Sequence, residues 1–287
     1  MPTYVSKILE NYILIEFQEN EDKTVARVLD TDDYWRKINE NCWKAPYSMR
    51  RAEFAKRFCE NPQKCIDLQK SLVEIRTKHK QDMIEILERR KINHFVHFTN
   101  AKNLESIFQY GLLSVREMQD RGITYISNDN DRFDAKLKGI SLSVSFPNYR
   151  MFYKKRRTWK ESDWAILLLD PKQIVELPCR FYAKNAACSE MKRKGIPFNA
   201  VKEFENMFCG EGEEHREKIG IPSCFTTDPQ AEILVLDAIP ISAIQTVCFE
   251  NDITLTRYKN LLYDIGVNVC TDRKYFDKRI DYMYWGN

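Results

Sequence analysis

Apolar and polar residues alternate most strictly over Ile140-Ser-Leu-Ser-Val-Ser-Phe146, which predicts a β-strand. One face of it is apolar and belongs to a core. The other carries Ser141, Ser143 and Ser145, a small hydroxyl surface that suits either a ligand cleft or an ordinary half-exposed strand. His94-Phe-Val-His-Phe-Thr99 alternates in the same way, and its two histidines, three positions apart, must point to opposite faces. Apolar runs at Trp164–Leu169, Cys179–Tyr182, Ile233–Leu236, Thr246–Phe249 and Gly266–Cys270 predict further strands. Helical spacing follows the histidine strand through Phe108, with Asn100 placed as its N-cap and Gly111 placed to end it. A second helix is predicted over Thr254–Tyr263, and one or two short ones around Phe204–Phe208.

Residues 1 to 90 have a different texture. Tyr12–Phe17 and Thr24–Leu29 predict two short strands around a charged turn, after which the pattern turns helical. Asp33 is placed to cap a helix through Trp35 and Ile38, and Ser48 to cap another carrying Phe54 and Phe58. Asp67–Arg90 reads as a long helix with a break near residues 79 to 81. The expected organisation is therefore a mostly helical accessory module over 1–90 and a mixed domain over 91–287. The fold class is α+β, with several strands around a loop-rich region at 183–226.

Composition narrows the functional classes. Lysine plus arginine number 45 and aspartate plus glutamate 42, so a nucleic-acid surface must come from clustering rather than net charge. The clustering occurs at Tyr149-Arg-Met-Phe-Tyr-Lys-Lys-Arg-Arg157, where Arg150, Lys154, Lys155, Arg156 and Arg157 are interleaved with aromatic residues. Cations meet phosphates and aromatic rings stack on bases, although a solvated basic helix face carries the same residues. No apolar run approaches the roughly 20 residues needed to span a bilayer, and MPTYVSKILENY has no signal-peptide pattern. Nine scattered cysteines without a C-x-x-C pair point to a reduced, cytoplasmic protein without a structural metal. Neither a G-x-G-x-x-G fingerprint nor a P-loop is present.

The candidate catalytic group is Glu232 in Asp228-Pro-Gln-Ala-Glu-Ile-Leu-Val-Leu236. Pro229 favours a turn, so the carboxylate stands at the mouth of a short buried strand with a mobile segment just before it.

Taken in chain order, the motifs resemble the DarT family of nucleic-acid base ADP-ribosyltransferases. The resemblance is carried by His94-Phe-Val-His-Phe-Thr-Asn100 with the helix after it, and by Asn128-Asp-Asn-Asp-Arg132 leading into the serine strand and Pro147-Asn148. Tyr182-Ala-Lys-Asn185 and Asp228-Pro-Gln-Ala-Glu232 complete it, so that it covers roughly residues 92–287. Val96 stands where many relatives have threonine. The resemblance implies two packed β-sheets around a cleft for NAD, which serves as co-substrate. It implies Glu232 and Arg132 as catalytic residues, and His94, Val96, His97, Arg132, Ser143, Tyr149 and Met151 as NAD-binding residues. Nucleic acid would be held by Tyr149, Arg150, Lys154, Lys155, Arg156 and Arg157, together with Asn185 and Gln230.

The chemistry requires these residue types. Breaking the nicotinamide–ribose bond builds positive charge on the sugar, as in glycoside hydrolysis. A fixed carboxylate stabilises that charge and can take a proton from the attacking base nitrogen. An arginine suits the pyrophosphate. The acceptor implied is a base in single-stranded DNA, with RNA as the alternative, in a toxin or phage-defence system with a neutralising antitoxin. A protein-directed transferase and a non-catalytic nucleic-acid-binding module are the competing readings.

Overall fold

The computed structural model describes residues 4–8, 12–17, 36–39, 42–46, 79–126, 139–160, 162–185, 200–209, 213–263 and 265–285. The chain forms two compact units, Met1–Lys78 and His79–Asn287.

In the first unit the described residues form an antiparallel sheet of β1 (Tyr4–Ile8), β2 (Tyr12–Phe17), β3 (Arg36–Asn39) and β4 (Cys42–Pro46), ordered β1-β2-β4-β3. Where the expected helix reaches Ile38 the described residues form the strand β3 instead, and Asp33 and Trp35 lie outside the described residues. Cross-strand packing overrides the local pattern here. Ile15 of β2 stands opposite Trp43 of β4, and both are fully buried. The expected strand at Thr24–Leu29, the helix after Ser48 and residues 67–78 lie outside the described residues.

The second unit begins with a helix over residues 79–90 (α1), which buries Met83, Ile86 and Leu87. Its seven-stranded sheet comprises β5 (Phe95–Asn100), β6 (Ile140–Val144), β7 (Trp164–Leu169), β8 (Cys179–Tyr182), β9 (Glu232–Val235), β10 (Ile244–Phe249) and β11 (Asn268–Thr271). The order is β11-β10-β7-β5-β6-β9-β8, and only β10 and β11 run parallel. Strand β7, in the interior of the sheet, is apolar throughout because both its faces are covered. Leu167 and Leu169 join one core with Phe95, Phe204, Ile233 and Val235, whereas Trp164 and Ile166 join another with Val96, Phe152, Tyr275 and Phe276.

The sheet is not equally tight across its width. β5 pairs with β7 at six positions, Phe95 to Asn100, but with β6 only at Phe95↔Val144 and Val96↔Ser143. The α+β class is as expected, and the strands form one continuous seven-strand order whose two halves, β11-β10-β7-β5 and β6-β9-β8, are joined only by the short β5–β6 pairing.

The other α-helices among the described residues are α2 (Leu104–Tyr110), α3 (Val115–Asp120), α4 (Tyr149–Thr158), α5 (Pro171–Ile174), α6 (Ala200–Asn206), α7 (Glu213–Ile219) and α8 (Asp252–Tyr263), of which α2, α3 and α4 line the seam between those halves. Gly111 ends α2 with φ +82° and ψ 178°, a conformation essentially reserved for glycine. Among the described residues no helix is long and apolar enough to cross a membrane, and no cluster of His, Cys, Asp and Glu is arranged to hold a metal.

Candidate active site

A cleft opens at the seam, enclosing about 1320 Å³ of empty space with its mouth included. Val96, His97, Ser141, Ser143, Asn148, Met151, Lys155 and Glu232 all line it. Three features of the chain bring them together.

The first is β5 with the residue just before it, where His94 and His97, three positions apart, point to opposite sides. His97 lines the cleft, with Nδ1 3.0 Å from the Ser141 carbonyl oxygen. A carbonyl only accepts, so the proton belongs on Nδ1 and Nε2 is the acceptor of the ring. His94 is on the other side and is not part of the lining. Its Nε2 lies 3.1 Å from the Ser145 carbonyl oxygen and 3.0 Å from the Tyr275 hydroxyl, and the Ser145 amide donates back to the His94 carbonyl at 3.2 Å. Ser145 has φ +59°, an uncommon conformation for a side-chain-bearing residue, and His94 holds both its amide and its carbonyl. Burial lowers the His94 pKa against the opposing effect of the Ser145 hydrogen bond, and the Lys274 charge lowers it further, so the ring is neutral at pH 7.

The second feature is the turn that His94 braces. It delivers Asn148, whose amide donates to the Ser143 hydroxyl at 3.1 Å and whose side chain caps α4 by accepting from the Met151 amide at 3.1 Å. The cap aims the first turns of α4 along the cleft, so Met151 and Lys155, four residues apart, both line it. Tyr149 lies in the same turn but is buried outside the lining, and its hydroxyl finds no hydrogen-bond partner among the described residues. Burial raises its pKa, as do the Asp281 and Asp228 charges, while Arg279 and Arg150 oppose them.

The third feature is β9. Glu232 is its first residue, opposite Tyr182 of β8, and the half-buried carboxylate enters the cleft while Ile233 and Val235 sit at 0% exposure in the core. The segment before Glu232, expected to be mobile, is pinned. Asp228 accepts from the Gln230 amide at 2.7 Å through its side chain and from the Ala231 amide at 3.1 Å through its carbonyl. Burial pushes the Asp228 carboxyl up, against the Gln230 hydrogen bond and the nearby charges of Arg279, Lys184 and Arg150. Two of the charges around Asp228, Arg279 and Arg150, come from distant parts of the chain, so sequence reasoning gave no sign of them.

The basic run divides. Lys155 turns into the cleft, Lys154 and Arg157 are exposed, and Arg150 is half-buried. Arg156 instead joins the fold, with an ion pair to Glu250 at 2.5 Å, a hydrogen bond to the Phe276 carbonyl at 2.7 Å, and its guanidinium 5.5 Å from the Phe152 and Phe276 rings. Asn185 and Gln230 are half-buried outside the lining, and Arg132 lies outside the described residues. The cleft also takes in Asn103, Tyr110, Met118 and Tyr125, which sequence reasoning did not flag. Asn103 is the most informative of these, since its side chain holds both the amide and the carbonyl of Ile126, at 2.8 and 3.1 Å, and so closes the loop after α3.

A half-buried carboxylate at a strand start, facing a histidine acceptor and a lysine across a large cleft, suits glycosyl transfer from a phosphorylated nucleotide. The family model for DarT, described as an ssDNA thymidine ADP-ribosyltransferase, matches residues 96–276. The protein is an ADP-ribosyltransferase, and the chain belongs to the DarT family. Similar solved structures include Thermus sp. 2.9 DarT in complex with carba-NAD+, at 16% identity and a TM-score of 0.47, covering 64% of this chain and 98% of that one. The same DarT in complex with ADP-ribosylated ssDNA is 14% identical with a TM-score of 0.44, covering 65% and 97%. Thermosipho africanus DarTG in complex with ADP-ribose is 17% identical with a TM-score of 0.43, covering 64% of this chain and only about half, 51%, of that one. No curated protein sequence matches the chain.

Proposed function

We propose that this protein transfers ADP-ribose from NAD+ to a base, thymine first, in single-stranded DNA. The observation that carries the reading is the convergence of Glu232, His97 and Lys155 on one cleft in a chain that matches the family from residue 96 to 276. The lining fits NAD+. Glu232 holds the ribose hydroxyls beside the bond that breaks, Nε2 of His97 accepts from a further hydroxyl, and Lys155 meets the pyrophosphate. Val96, Ser143 and Met151 shape the wall against the nicotinamide end, and Arg132 remains assigned to the phosphates or the acceptor from sequence. His94 contributes by holding the Ser145 turn that leads to Asn148 and α4, and Tyr149 by packing in the core beside that turn.

The reaction breaks the bond between ribose C1′ and nicotinamide, which leaves with the electron pair. The base nitrogen forms the new bond to C1′, and its proton passes to the Glu232 carboxylate. Lys154 and Arg157, exposed on α4, together with Arg150, Asn185 and Gln230 hold the strand that presents the base. We further propose a toxin role balanced by an antitoxin. Incubation with labelled NAD+ and single-stranded DNA, RNA or protein tests the reading. Label on thymine-containing DNA supports it, label on RNA moves the acceptor, and label on protein alone refutes base modification. Growth arrest on expression, lost with Glu232→Ala, tests the toxin role.

A further inference from the structure

Two buried arginines from different parts of the chain hold the segment that leads into Glu232. Arg279 lies beyond the 96–276 range matched by the family, and the side chains of Arg279 and Asp281 are 2% and 0% exposed. Its Nε and one terminal nitrogen form a fork with the Asp281 carboxylate at 2.6 and 2.5 Å, and its terminal nitrogens donate to the carbonyl oxygens of Thr226 and Thr227, both at 3.0 Å. Asp281 is fixed in turn by the Trp285 indole at 2.8 Å. Arg216 of α7 donates to the carbonyls of Phe225 at 2.7 Å and Pro222 at 3.1 Å, and to the Thr227 hydroxyl at 3.2 Å.

Between them the two guanidiniums take the carbonyls of Pro222, Phe225, Thr226 and Thr227, in a stretch that belongs to no helix or strand. The Thr226 hydroxyl passes the restraint to the Asp228 carbonyl at 2.8 Å, and Ala231 and Glu232 follow at the cleft wall. Desolvating two cations around one loop is an expensive way to gain stability, since apolar packing in the same space costs less. What a guanidinium adds is direction, because its planar fork fixes the carbonyls that meet it. Glu232 itself is placed otherwise, by the pairing of β9 with β6 and β8.

We propose that Arg279, held by Asp281, and Arg216 are positioning residues for the acceptor: they preset residues 222–231 to receive the incoming base. This rests on the base-modifying reading above. It requires that transfer to DNA depend on the arginines while hydrolysis of NAD+ does not. In hydrolysis water supplies the new bond to ribose C1′, nicotinamide leaves with the electron pair and the water proton goes to Glu232, so no acceptor segment is involved.

The test measures both reactions in Arg279→Met, Arg279→Lys, Arg216→Met and Trp285→Phe. Arg279→Met should lower kcat/KM for a thymine-containing oligonucleotide about 100-fold, the scale of a small misplacement, with NAD+ hydrolysis within about threefold of the parent. Arg279→Lys should recover part of the loss, because the charge is kept without the fork. Trp285→Phe removes one hydrogen bond to Asp281 and serves if the arginine variants fail to fold. It should lower transfer several-fold and speed hydrogen exchange at the Thr227 amide, which donates to Met207 at 2.9 Å, with β9 unchanged. Equal losses in both reactions, or unchanged transfer in Trp285→Phe, would overturn the inference. A parent protein that labels no nucleic acid removes the base-modifying reading and this inference with it, whereas a labelling parent with indifferent variants removes this inference alone.

Discussion

Replacing Glu232 with glutamine removes a negative charge and leaves shape nearly unchanged. Its effect on folding follows from β9, where Ile233 and Val235 are at 0% exposure and carry the packing while Glu232 is half-buried and faces the cleft. Stability should therefore move by no more than about 1 kcal/mol, the scale of one altered hydrogen bond. The effect on chemistry is of another size. A unit charge about 4 Å from the developing positive charge, at an effective dielectric of about 20, is worth on the order of 4 kcal/mol. Glutamine keeps a dipole that offsets part of this, so transfer should slow by roughly 10²–10³-fold. Single-turnover transfer from labelled NAD+ to a thymine-containing oligonucleotide measures the loss, with thermal melting as the control on folding. A rate within about threefold of the parent in a protein that melts normally would refute the catalytic assignment of Glu232.

Gly111→Ala places a Cβ 2.6 Å from the Ile239 carbonyl oxygen at φ +82°, next to the paired Leu112 and Ile239. It should cost about 1–3 kcal/mol in a urea melt, and an unchanged midpoint would contradict the required geometry. His94 has a folded pKa below its ordinary value through burial, so the unfolded state takes up a proton first as pH falls. Its contribution is fully present above about pH 6.5 and declines below it until the folded value is passed, so His94→Gln should flatten stability against pH in that window. In α4, Arg156→Ala should lower stability by roughly 1–2 kcal/mol through its lost Phe276 and Glu250 contacts, without altering the salt dependence of DNA binding. Lys154→Ala with Arg157→Ala should do the reverse, reducing the slope of log K against log salt by roughly 1.4 for two phosphates on a single strand.

The strands of the catalytic unit were legible because alternation reports burial directly. The histidine strand and the apolar run of β7 stand at or within a residue of where the pattern predicts them, and the serine strand starts as predicted but ends two residues early, at the Ser145 turn. The same reasoning failed at Arg36–Asn39, where local spacing suggests a helix and the pairing of β3 with β4 makes a strand. Burial alone could not distinguish the members of the basic run, since Lys155, Arg156 and Arg157 are neighbours in sequence and go to the cleft, the core edge and solvent respectively.

The positions of Glu232 and His97 on the cleft wall were readable because each is set by its own strand: a strand start after a turn, and one face of an alternating segment. The opposite duties of His94 and His97 follow from the same period of two, although only the folded chain shows that the His94 face meets Tyr275 and the Ser145 turn. The bracing of the segment before Glu232 had no local signature. Arg216, Arg279 and Asp281 look like ordinary surface charges in sequence, and they become the framework of that loop only because the fold buries them against its carbonyl groups. Sequence periodicity determines which side of an element a residue occupies, whereas the long-range packing of loops and termini determines which charges lose their water and must find partners inside.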